Sequence, residues 1–336
     1  MYIQNLPPLL PREQMLAILH SQVYGHLPPR PEQLSFTQER LDAPTFGGKA
    51  ACTRVTAHCT VCGKPFSFPF HATVPTAPGR HPFFVHVNFR PEVADYYQPI
   101  EEILDSGFAV LSFDYNDVTR DDGDFTQGLA GLLFGNGTRG PEDPGKIALW
   151  AWAAQRVMDY AEECADVLDL SCAVVCGHSR LGKTALLAAA TDPRFAFAYA
   201  NESGCSGAAI SRGKIGETVA DICRVFPYWF CENYRNWAGR EQEMPFDQHY
   251  LVAAIAPRKV LIGSAALDGW ACPAAEQLCC FAAAPAFETG FPCPPRPAEV
   301  GETFFDGHIG YHLRGGDHFF SREDWQKLIR FVNHHR

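Results

Sequence analysis

The stretch Val174-Val175-Cys176-Gly177-His178-Ser179-Arg180-Leu181-Gly182-Lys183 decides the fold. A β-branched apolar run ends at Gly177, a serine follows two residues later, and an alanine- and leucine-rich helical segment (184–190) starts at once. A serine at a tight strand-to-helix turn is lifted out of the sheet, and the first free N–H groups of the helix face whatever it attacks. The usual nucleophile elbow carries glycines two before and two after the serine. Gly177 fits, Leu181 takes the second place, and glycine returns one residue later as Gly182. Strand–Gly–Ser–helix junctions also serve as phosphate loops and plain βα turns, so the serine has to be judged with its partners.

Working outward, strands and helices alternate. Upstream, 83–87 and 108–113 read as strands around a helix at 97–106. A loop rich in Gly and Asp spans 121–144, and a long helix at 145–163 leads to the strand 172–176. Downstream come strands at 197–200 and 259–263, a helix at 273–283, a Pro-rich loop around Cys293, a short strand at 308–313 and an amphipathic helix at 322–333. The segment 204–250 has little regular periodicity and is too long for a simple connection, so it is expected to wall the site. Before residue 80, a helix at 12–23 and the turn Pro28-Pro29 precede alternating segments at 34–39, 51–59 and 66–73, the pattern of an antiparallel meander. The expectation is one α/β domain, 1–336. It is an α/β-hydrolase three-layer sandwich with a mostly parallel central sheet, 1–80 being an N-terminal helix and antiparallel β extension and 81–336 the catalytic core.

Composition narrows the function. With 46% hydrophobic residues the chain can build a large core, and a formal net charge of −10 argues against nucleic acid or an anionic membrane as partner. No run of about 18 apolar residues occurs. The N-terminal MYIQNLPPLLPREQ lacks the basic start and apolar run of a secretory signal, so a cytoplasmic location is expected. The thirteen cysteines are scattered, and Cys164, Cys172, Cys176, Cys279 and Cys280 lie in apolar settings. Cys59 and Cys62 form one C-x-x-C with Cys52 upstream and no second pair, so no metal site is expected, and reduced thiols are the default.

A serine hydroxyl needs a base within reach, an acid to orient that base, and donors for the oxyanion. Candidates follow Ser179 in the order that α/β-hydrolases use. Glu202 lies just after the strand 197–200, Asp268 just after 259–263, and His318 in Gly315-Gly316-Asp317-His318 before the last helix. His312 competes as the base, but it sits on a predicted strand, where a histidine is more often structural. His178 adjoins the serine and, because neighbours at an elbow point apart, is expected to pack or bond locally.

These residues carry a resemblance. Gly177-His178-Ser179-Arg180-Leu181-Gly182-Lys183 is similar to the G-C-S-R-x-G-K elbow of the glucuronoyl esterases. The likeness extends through Glu202-Ser203-Gly204, Pro245-Phe246-Asp247-Gln248-His249, Ile255-Ala256-Pro257-Arg258, the Ile309-Gly310-x-His312 run and the helix that opens Gly145-Lys146-Ile147-Ala148-Leu149-Trp150-Ala151-Trp152. It covers roughly residue 145 to the C-terminus. The resemblance implies Ser179 as nucleophile and His318 as base. Glu202 matches the acid position particular to that family, and Asp268 matches the acid position commoner among hydrolases. It implies Arg180 as oxyanion donor, Lys183 as a ligand of sugar hydroxyls and Trp270 as an apolar platform. His178 stands where that family commonly has cysteine, and no family sugar-binding acid is matched in 224–230.

The expected function is therefore a serine carboxylesterase acting on uronic-acid (glucuronoyl) esters of plant-type polysaccharide, with no metal or organic cofactor. An acetylxylan or sugar-acetate esterase with the same triad is the alternative, and a non-catalytic carbohydrate-binding hydrolase fold is a second.

Overall fold

The computed structural model of the chain describes residues 5–41, 45–90, 93 and 95–336. Ten strands form a single sheet: β1 (Gln33–Arg40), β2 (Ala50–Val61), β3 (Lys64–Pro75), β4 (His81–Asn88), β5 (Ala109–Asp114), β6 (Leu168–His178), β7 (Phe197–Asn201), β8 (Lys259–Ala265), β9 (Thr303–Phe304) and β10 (Ile309–Arg314). Their order is β1-β2-β3-β5-β4-β6-β7-β8-β10-β9. From β5 to β10 every pairing is parallel, while β1–β3 form the antiparallel extension and join the core where β3 meets β5. The α/β-hydrolase expectation holds, with a sheet longer at one edge by the two-residue, antiparallel β9.

Among the described residues ten α-helices connect and cover these strands: α1 (Arg12–Leu19), α2 (Ile100–Asp105), α3 (Tyr115–Val118), α4 (Gly128–Phe134), α5 (Lys146–Glu163), α6 (Arg180–Thr191), α7 (Val219–Val225), α8 (His249–Ala253), α9 (Pro273–Ala283) and α10 (Arg322–His335). Alternate residues of one strand point to opposite faces, so each central strand feeds two cores. Phe83, Val85 and Val175 face the larger core with α5 and α6. Phe84, Val174 and Cys176 face a second core closed by Trp325, Leu328 and Phe331 of α10. Burial on both faces explains why β4 reads as a near-continuous apolar run rather than as an alternation. In β2 the buried residues are Ala50 and Cys52 at one end and Val55, Ala57, Cys59 and Val61 beyond, so the alternation changes phase between Cys52 and Val55.

Four local readings change. The helix expected at 97–106 begins only at Ile100, with Tyr97 in a positive-φ conformation (60°) outside it. The strand at 172–176 runs from Leu168 to His178. The 121–144 loop contains α4, and the irregular 204–250 segment contains α7, the start of α8 and three stretches of 3-10 helix. Among the described residues no helix is long and apolar enough to cross a membrane.

Candidate active site

The parallel strands deliver their chemistry at their carboxyl ends. Ser179 links β6 to α6 with φ 57° and ψ −126°, and its N–H donates to Asn201 O at 2.8 Å. A non-glycine residue held there stores about 1–3 kcal/mol of strain. The turn is tight enough that a Cβ on Gly177 would stand 2.2 Å from Leu181 O. The displaced glycine has a reason too: a Cβ on Gly182 would lie 3.1 Å from Ser203 Cβ and 3.3 Å from Asn201 O, so α6 rests directly on the end of β7. Among the described residues Ser179 Oγ has no hydrogen-bond partner.

The structure brings His318, Asp268 and Glu202 together. His318 Nδ1 lies 2.6 Å from Asp268 Oδ2 and 3.2 Å from Glu202 Oε2. Asp268 takes the ring hydrogen bond. Glu202 is largely committed elsewhere: Oε1 accepts from Arg314 at 2.5 Å and Oε2 from the Phe319 N–H at 2.9 Å. Burial pushes the Glu202 carboxyl up to about 7, although His318 and Arg314 pull the other way. Asp268 is also opposed by burial, but His318 outweighs it and holds the carboxyl below the usual range. For His318 itself, burial disfavours the charged ring, yet the bonds to Asp268 and Glu202 prevail and lift it to about 9.

Arg314, at the end of β10, was not legible as a site residue. Its guanidinium donates to Asp324 Oδ2 (2.7 Å), Gly315 O (2.7 Å), Asp317 O (3.0 Å), Phe319 O and Glu202. The loop that presents His318 is thus wrapped around one cation. Asp324 closes the arrangement from α10, where it also forms a capping box with Ser321. His312 is fully buried on β10 with Nε2 3.0 Å from Tyr199 Oη, the structural role expected for it.

Arg180 begins α6, so its N–H has no intrahelical acceptor. Its guanidinium is tied to Asp121 and, at 3.4 Å, to Tyr115 Oη, and lies 4.9 Å over the Trp229 ring. Asp121, Tyr115 and Trp229 come from the Gly/Asp loop, the turn after β5 and the irregular segment, and no periodicity marks them. Lys183 is buried, 3% exposed, and donates to Ser203 O at 2.6 Å. A solvated position on the helix surface is therefore excluded. Trp270 is 57% exposed, with Leu267 and Ile215 also exposed. The 215–217 and 269–270 segments touch, since Glu217 N donates to Trp270 O at 3.0 Å. Cys52, Cys59 and Cys62 fall in no group of metal-ligating side chains among the described residues.

The sequence family described as "Glucuronyl esterase, fungi" matches residues 58–289. The carbohydrate esterase MZ0003 of an unknown prokaryotic organism is 38% identical over 244 residues, spanning 70% of this chain and 55% of that protein. A 4-O-methyl-glucuronoyl methylesterase of Podospora anserina is 26% identical over 75% of this chain and 50% of its own length. The chain thus spans about half the length of these curated relatives. Among solved structures, a promiscuous CE15 esterase from the marine bacterial metagenome is 31% identical with TM-score 0.86, covering 97% of this chain and 91% of that one. A glucuronoyl esterase from Solibacter usitatus is 32% identical with TM-score 0.87, covering 96% and 91%. With more than half of its length matched by that family, this chain belongs to the glucuronyl esterase family.

Proposed function

We propose that this protein is a serine carboxylesterase that cleaves uronic-acid esters of a polysaccharide or oligosaccharide. What supports the reading is the pairing of His318 with Asp268 and Glu202 beside His178 of the serine elbow, the two rings 4.3 Å apart, in a chain of this family. Ser179 Oγ attacks the ester carbonyl while the His318 ring takes its proton. Asp268 and Glu202 stabilise the imidazolium, and the Arg180 N–H, with its guanidinium beside it, receives the oxyanion. The imidazolium then protonates the departing alcohol, and water, activated by the same ring, releases the uronate. Lys183 has one of its three donors on Ser203 O and two left for sugar hydroxyls. Trp270 offers its face to the ring carbons of the sugar.

A glucuronate methyl ester compared with a sugar acetate tests this. Acid release from the first at a clearly higher kcat/KM is expected, and preference for the acetate would favour the deacetylase reading. That second reading draws support from the similarity to a promiscuous CE15 esterase. We further place the chain in a reducing compartment, the cytoplasm, because all thirteen cysteines are free thiols and nine are buried.

A further inference from the structure

His178 has no part in the ester chemistry, yet it is built as a ligand. It is 2% exposed, and its Nδ1 lies 2.6 Å from Asn201 Oδ1. The Asn201 amide is oriented by its own donation to Tyr199 Oη at 3.2 Å. Nδ1 therefore carries the hydrogen and Nε2 the lone pair, and Nε2 makes no hydrogen bond with any described residue. An imidazole fixed through one nitrogen with the lone pair on the other is how proteins present histidine to a metal.

Two further donors stand close by. A His178 nitrogen, a Glu202 oxygen and a His318 ring nitrogen all lie within 4.8 Å of one another. Zinc with bonds of about 2.1 Å spaces its N and O ligands roughly 3.4 Å apart, so the donors have to close by at most about 1.4 Å. His318 can make that shift, because it is 43% exposed and follows Gly315-Gly316. Glu202 is fixed from its far side by Arg314, and Asp268 Oδ2, 2.6 Å from His318 Nδ1, or a water, completes four ligands.

We propose that His178, Glu202 and His318 form a site for zinc or a divalent cation of the same borderline class, and that its binding switches the esterase off. Two imidazoles and a carboxylate suit zinc rather than magnesium or calcium, which prefer oxygen alone. A neutral imidazole has one in-plane lone pair. When the cation takes it on either nitrogen of His318, the hydrogen stays on the other, and the ring cannot accept the Ser179 proton. The cation displaces at most a proton, and no covalent bond is made or broken. The switch rests on the esterase reading above, whereas the cation site itself does not.

The test uses the whole chain stripped with EDTA. Zinc chloride is titrated against hydrolysis of p-nitrophenyl acetate, and cobalt(II) is titrated separately by visible absorption. Expected are complete inhibition at micromolar zinc, reversal by EDTA, no effect of equal magnesium, and cobalt d–d bands without thiolate charge transfer. The last point separates this site from the cysteines. His178→Phe, which keeps an aromatic ring beside His318, retains the basal rate within a few-fold and weakens zinc inhibition at least tenfold. His178→Gln serves if the phenylalanine variant does not fold. Insensitivity of the wild type to millimolar zinc, undiminished inhibition of a folded His178 variant, or thiolate bands in the cobalt spectrum would each overturn the proposal. If no ester is hydrolysed at all, the esterase reading fails while the cobalt titration still decides the cation site.

Discussion

Arg314 Nη2 donates to Glu202 Oε1 at 2.5 Å while the same guanidinium binds the carbonyls of Gly315, Asp317 and Phe319. The carboxylate beside the His318 ring and the loop that carries the ring are therefore held by a single group. Removing one partner from a buried ion pair costs about 3–5 kcal/mol. Arg314→Met should lower the melting temperature sharply and cut turnover on every ester. Arg314→Lys should rescue little, because a point charge cannot serve five acceptors in a planar fork. Melting followed by circular dichroism, with kcat on an aryl acetate, checks both; full activity in the methionine variant would refute the role.

Ser179→Ala should reduce ester hydrolysis by several orders of magnitude with the fold unchanged. Ser179→Gly should be equally inactive yet more stable than the alanine variant by about 1 kcal/mol, since glycine relieves the positive φ. Thermal unfolding of the two variants side by side provides the measurement.

The pH profile follows from His318. In the proposed mechanism its neutral ring is the base, and with a pKa lifted to about 9 it is protonated at neutral pH. The value of kcat/KM should rise about tenfold per pH unit toward pH 9 and then level. The pairing also stabilises the fold fully below the unfolded-chain value near ~6.5 and loses that contribution as pH climbs through about 9. Asp268→Ala and Glu202→Ala each remove a negative charge, so each should move the acid limb to lower pH. Each single variant should keep activity that the double variant loses. A limb that stays in place in one variant would remove that acid from the site's electrostatics.

Lys183 and Arg180 should separate by substrate. Lys183→Met keeps the buried volume and should lose tenfold or more on a uronate ester but little on an aryl acetate, as a lost charged hydrogen bond is worth about 1.5–3 kcal/mol. Arg180→Ala should lose rate on both, because an oxyanion donor acts in the transition state. Parallel kcat/KM measurements on the two esters decide it, and an equal loss in the lysine variant would end its sugar role.

What was readable in the sequence is what local pattern controls. The central strands show as β-branched and aromatic runs because both faces are buried, and Ser179, Glu202, Asp268 and His318 stand out as candidates because each directly follows or shortly trails such a run. Helix α4 stayed hidden since its GLAGLLF segment is glycine-rich and opens on Gly128 at φ 59°. The burial of Lys183 was unreadable because the irregular segment, through Trp229, sits over it. Arg314 looked like a strand end, and its meaning comes from a loop folding back around it. The anchoring of Arg180 by Asp121 joins residues 59 apart in sequence, beyond any local signal.

Two carboxylates on adjacent strand ends, both within 3.2 Å of one imidazole nitrogen, also bear on descent. A lineage with a single acid has to pass through a crippled ancestor to move that acid to another strand. Here Glu202 and Asp268 overlap in reach, but Glu202 is also tied to Arg314, so under the proposed roles Asp268 is the carboxylate that can change with less damage to the fold.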